Sequence, residues 1–119
     1  MIRRLAFVVF LSLTLIQCKS QDTGLLDATY VRLVDASEIL EDNRGDQQAA
    51  ESALMKLYQT QHEQILLYRS TADSLVASLS KEEQDTYRKR MQEIRAKLEN
   101  LSRTYDKPLE IVRILALMY

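Results

Sequence analysis

Glycine and proline are almost missing from this chain of 119 residues, which has two of the first and one of the second. Sheet-rich folds need turn residues about every 8–12 positions, so a β-sandwich or barrel is excluded. The single cysteine excludes an internal disulfide and a multi-cysteine zinc site. The single histidine excludes the usual multi-histidine metal centres. No charge of one sign dominates: 16 basic residues face 17 acidic ones, a formal net charge of −1, so nothing points to a polyanion partner or to nucleic acid. With 28% charged and 46% hydrophobic residues the chain is neither a disordered tail nor a multi-span membrane protein. Its length leaves room for one core only.

The N-terminus reads as a targeting device. Arg3 and Arg4 precede an apolar run of twelve residues, Leu5 to Ile16, broken only by Ser12 and Thr14. A hydrocarbon core needs about 20 helical residues to cross, so this run is too short. A basic start followed by such a run is the form of a secretory signal peptide. The next residues, Leu15-Ile16-Gln17-Cys18, resemble the lipobox of bacterial lipoproteins. That resemblance covers the first eighteen residues. It implies cleavage between Gln17 and Cys18 and lipidation of Cys18 as the mature N-terminus. Gln17 stands where the pattern has a small residue. An ordinary secretory leader or an uncleaved signal anchor is the competing interpretation. The sole cysteine, however, falls at the one position the signal requires, and an unpaired thiol in an oxidising envelope would be a liability. Acylation would also remove the thiol as a nucleophile.

On this reading residues 1–17 are the signal peptide, 18–24 the lipidated cysteine and tether, and 25–119 a helical domain. Loss of Arg3 and Arg4 lowers the sixteen basic residues to 14 against 17 acidic ones, a formal charge of −3. Acyl chains rather than a basic patch would then hold the protein on the membrane. Lys19 follows the cysteine in place of the aspartate that retains many lipoproteins at the inner membrane. The resemblance therefore leans toward the outer membrane of a bacterial envelope.

The remaining chain carries helical periodicity throughout. Leu26, Tyr30, Leu33, Ser37 and Leu40, widened by Val34 and Ile39, predict a helix over 25–42. Gly45 suits a left-handed stop, and Asp46 suits the next N-cap. Ala50, Leu54, Leu57, Gln61, Ile65, Tyr68, Ala72, Leu75 and Leu79 predict one long helix over 47–79. Ser80 and Glu83 form a capping-box pattern. Tyr87, Met91, Ile94, Leu98, Leu101 and Tyr105 start a fresh seam, predicting a helix over 81–105 rather than a continuation. Lys89, Glu93 and Lys97 lie on its wet face. Pro108 opens an apolar tail, 109–119, read as a short fourth helix folded onto the others, with a kinked continuation as the alternative. The expected class is all-α: an antiparallel hairpin or bundle of three long helices plus a short C-terminal one. Coiled-coil self-association is a variant of the same pattern.

Motifs for chemistry are mostly missing. There is no phosphate loop, no Gly-x-Ser-x-Gly and no His-Glu-x-x-His. His62 is preceded three residues earlier by Gln59, so the Glu-x-x-His half-site of di-iron bundles is not formed. His62 is a weak metal candidate beside the bland alternative of a half-exposed bundle histidine. No cofactor and no catalysis are expected. Glu82, Glu83 and Asp85 suit a helix start rather than acid–base work. Tyr30, Tyr68, Tyr87 and Tyr105 occupy seam positions and, with Leu115 and Tyr119, could line a groove or interface, or else edge a narrow core. Gln61 either fixes register inside the seam or marks where it opens to water. Two functions fit: an envelope lipoprotein binding another envelope protein or its own copies through a helical face, and a periplasmic small-molecule or metal carrier using a Tyr/His62 pocket.

Overall fold

A computed structural model describes residues 24–119, and among these every regular element is helical. The helices are α1 (24–42), α2 (Gln47–Thr60), α3 (His62–Ser78), α4 (Lys81–Ser102) and α5 (Pro108–Ala116). The signal peptide, Gln17 and Cys18 lie outside the described residues.

Local chemistry accounts for most of the boundaries. Asn43 Nδ2 donates to the Ile39 carbonyl at 2.8 Å, and Gly45 turns the chain at φ 88°, conformational space that disfavours any side chain. The Asp46 carboxylate accepts from the Ala49 amide at 3.1 Å and starts α2. Ser80 and Glu83 form the reciprocal capping box, at 3.2 and 3.3 Å, so α3 and α4 are separate helices. Pro108 occupies the first turn of α5, where its missing N–H costs nothing.

Two boundaries differ from the sequence expectation. The long helix over 47–79 is divided at Gln61, whose φ/ψ of −110°/17° ends α2 and begins α3. Gln61 N–H still donates to Leu57 and its carbonyl still accepts from Ile65, so the apolar seam keeps its phase across the break. Leu54 and Ile65, on opposite sides of it, are both fully buried. The other correction concerns α4, which ends at Ser102 rather than Tyr105. Tyr105 sits in the following turn with its ring in the core, and its hydroxyl donates to the Leu40 carbonyl at 2.6 Å. That bond satisfies one of the orphan carbonyls in the last turn of α1.

The helices run up, down and up. Tyr30 lies beside Arg90, and Glu41 pairs with Lys97 at 2.8 Å, so α1 and α4 are parallel. Leu25 and Leu75 share one wall region, while Arg32 meets Gln61, so α3 descends against α1. The fifth helix packs on α2 and α4. It starts where Gln47 clamps the Lys107 peptide with two hydrogen bonds, 3.1 and 2.9 Å, and ends at the level of Gln61. One half of the molecule is therefore a four-helix bundle (α1, α2, α4, α5), and the other half is three helices (α1, α3, α4). The core of the first half comprises Leu33, Leu40, Leu54, Ile94, Leu98, Leu101, Ile111, Leu115 and Met118 among others. The break at Gln61 lies where one half gives way to the other.

Candidate functional site

The junction is occupied by a charge. Arg32 is fully buried. Its Nε donates to the Met118 carbonyl at 3.0 Å, one Nη to Gln61 Oε1 at 3.3 Å, and the other to Thr29 Oγ1 at 3.2 Å. Thr29 in turn donates to the Leu25 carbonyl at 2.9 Å. All three acceptors are neutral. Burial pulls the Arg32 guanidinium below its ordinary value, and the Arg69 charge adds to the fall, while Tyr68 and Tyr87 oppose it. Arg69 donates to the Leu117 carbonyl at 2.8 Å and to the Tyr119 carbonyl at 3.3 Å. Two guanidinium groups thus cap the C-terminal end of α5, where unpaired carbonyls and the negative end of the helix dipole favour cations. Arg95 completes the cluster with its Cζ 4.7 Å from the Tyr119 ring centroid.

Next to this cluster, Tyr68 of α3 and Tyr87 of α4 share a hydroxyl–hydroxyl bond of 2.8 Å. Burial, then the bond to Tyr68, pushes the Tyr87 phenol well above its ordinary range. The pair forms a bridge between two open clefts on the α3–α4 side. One is lined by Ala72, Asp73, Val76 and Gln84, the other by Met91, Gln92, Arg95 and Glu99. A third open groove, of about 420 Å³, separates Leu26, Asp27 and Tyr30 of α1 from Glu82, Glu83, Thr86 and Arg90 of α4.

The residues singled out from the sequence do not gather in one place. Tyr68 and Tyr87 are brought together. Tyr30 lies half-buried in the α1–α4 groove with Arg90 Cζ 5.8 Å from its ring centroid, and Tyr105 is a core residue bonded to α1. Leu115 is buried within the core, while Tyr119 is half-buried under Arg95. His62 stands exposed at the first position of α3, edge-on to Tyr58 with ring centroids 5.3 Å apart. Among the described residues no group of three or more His, Cys, Asp or Glu side chains is placed to hold a metal ion.

Arg32, Thr29 and Gln47 were not singled out from the sequence. Arg32 follows Thr29 by three residues and precedes Ala36 by four, and all three are fully buried. The small and hydroxyl-bearing neighbours were the available signal, but Asp35, three residues on, gives Arg32 the look of a solvated ion-pair position. The two readings offered for Gln61 merge: it is half-buried, it marks the break, and its amide oxygen serves the buried arginine. The tail 109–119 is divided by face. Ile111, Leu115 and Met118 are core, whereas Leu109 and Val112 are 72% and 41% exposed.

What this arrangement does physically is fasten α5 at both ends, by Gln47 at its start and by Arg32 and Arg69 at its finish. No helix among the described residues is long and apolar enough to cross a membrane. Comparison with known proteins finds no matching family model, no matching curated protein and no matching solved structure.

Proposed function

We propose that the chain is a small lipid-anchored protein of a bacterial envelope that works by binding, either another envelope protein or further copies of itself, through an exposed helical face. The reading rests on one observation above the others: the only cysteine, Cys18, directly follows a basic start and a twelve-residue apolar run, at the lipobox-like Leu15-Ile16-Gln17-Cys18. Cleavage after Gln17 and acylation of Cys18 would leave a helical domain on a tether of a few polar residues. Two or more acyl chains hold a protein stably at about 0.8 kcal/mol per buried CH₂. Lys19 after the cysteine favours the outer over the inner membrane.

A binding rather than catalytic role is supported by α5. Its core face is fastened down, while Leu109, Val112 and Ala116 form an exposed stripe at i, i+3 and i+7. The side chains that carry unusual environments, Arg32 and Tyr87, hold helices together, Arg32 through the Met118 carbonyl at the end of α5 and Tyr87 through the Tyr68 hydroxyl of α3.

The test is fractionation of cells expressing Cys18→Ser. The native protein should partition with membranes and incorporate labelled palmitate. The variant should do neither while keeping its helical circular dichroism. A Cys18→Ser protein that still fractionates with membranes as the native one does, with no label in either, would overturn the reading.

A further inference from the structure

The start of α1 opens onto a second apolar surface. Leu25 and Ala28 of α1 and Leu67 and Leu75 of α3 line an open groove of about 580 Å³, with Thr71 and Gln64 at its side. Gly24 itself lines this groove. Leu67 and its neighbour Leu66 are 54% and 49% exposed. Two hydroxyls on this stretch are satisfied within the helix: Thr71 and Ser70 both donate to the Leu67 carbonyl, at 2.7 and 3.0 Å. A surface with carbon at its centre and the Thr71 hydroxyl paired within the helix suits hydrocarbon, with the Gln64 amide at its side left to the water and headgroup level.

Chain length brings a particular hydrocarbon to it. Cys18 precedes Gly24 by six residues. At ~3.3 Å per residue that is a span of at most ~20 Å. The opposite end of the molecule, where Gln47 clamps Lys107 and Leu109 is exposed, lies a further helix length away, ~28 Å for the 19 residues of α1.

We propose that the α1–α3 face rests on the bilayer that holds the acyl chains of Cys18, with Leu67 and the adjoining groove taking up lipid hydrocarbon. The inference rests on the lipidation of Cys18 proposed above and adds an orientation to it: the α1–α3 face lies on the membrane, and Leu109 at the start of α5 lies at the other end of the molecule. Val31 supplies the contrast. It is as exposed as Leu67, at 53%, but Asp27 and Asp35 flank it one turn away on either side, which keeps that face of α1 in water. Leu67 has a single acidic neighbour at that spacing, Glu63.

The experiment places a nitroxide spin label at Leu67→Cys or at Val31→Cys in the full-length, acylated protein, reconstituted in phosphatidylcholine vesicles. Acylated Cys18 has no thiol, so each variant carries one label. Collision rates with oxygen, which partitions into lipid, and with a water-soluble nickel chelate are read by power saturation. The oxygen-to-nickel ratio should be several-fold higher at position 67 than at position 31. Equal ratios at the two positions would overturn the proposal. So would a fall in both collision rates at position 67, which would mean that a second copy or another protein covers the face. Failure of the lipidation itself shows separately, as a second label on each variant and a label on the unsubstituted protein.

Discussion

Replacing Gln61 with leucine should destabilise the fold, and replacing Arg32 with methionine should make that same substitution harmless. Arg32 is a fully buried cation with three neutral acceptors, of which Gln61 Oε1 is the only side-chain amide. Gln61→Leu leaves an N–H of the guanidinium facing carbon. A hydrogen bond to a charged group contributes about 1.5–3 kcal/mol, so the loss should fall in that range. Arg32→Met acts through two opposed terms. It strips the Met118 carbonyl of its donor, costing about 1–3 kcal/mol, and it relieves the desolvation of a buried ion, a term of several kcal/mol before its compensating bonds are subtracted. The unbranched methionine stem fills much of the space, so the net change should lie within about 1 kcal/mol of zero. With no cation left to serve, Gln61→Leu should then cost nothing or stabilise. The coupling in the double-mutant cycle is thus about 1.5–3 kcal/mol. Urea unfolding followed by far-ultraviolet circular dichroism gives the four free energies, with unchanged slopes as the check that the unfolded state is the same. Additivity to within about 0.5 kcal/mol would refute the assignment of Gln61 as the partner of Arg32.

Two further outcomes follow from the same geometry. Burial and the bond to Tyr68 raise the Tyr87 phenol above its ordinary 10.0, and burial raises Tyr105 in the same direction. A raised folded-state value means stability that is complete below the ordinary value and lost as pH climbs beyond it. The urea midpoint should therefore be flat up to about pH 9 and fall above about pH 10, and Tyr87→Phe should flatten that fall while costing about 0.5–1.5 kcal/mol at neutral pH. Gly45→Ala meets open space but must hold φ at 88°, so its cost, about 1–2 kcal/mol in thermal or urea unfolding, should come from backbone strain alone.

The parts of the fold legible in the sequence are those fixed by neighbours along the chain. Asp46, Ser80 with Glu83, Gly45 and Pro108 each act within one turn, and all four do what their residue types predict. The break at Gln61 was not legible because the apolar seam passes through it in phase. Its setting is tertiary: the end of α5 and the buried charge of α1 meet the chain there. Arg32 was hidden for the related reason that its acceptors lie 29 and 86 positions away, apart from Thr29. Tyr68 and Tyr87 could be assigned to apolar seams, but their bond depends on how far α3 slides along α4, which no local pattern fixes. Cys18 is the converse case: the lipidation proposed for it is read from the sequence alone, since it lies outside the described residues.

Whether position 18 carries lipid is best decided by the intact mass of the native protein extracted from its membrane in mild detergent. A chain beginning at Cys18, heavier than its sequence by a diacylglycerol joined to the sulfur as a thioether, from which mild alkali removes the ester-linked acyl groups and leaves the glycerol, is the anticipated result. A mass that begins at Met1, or at Cys18 with a thiol that alkylates freely, would contradict it.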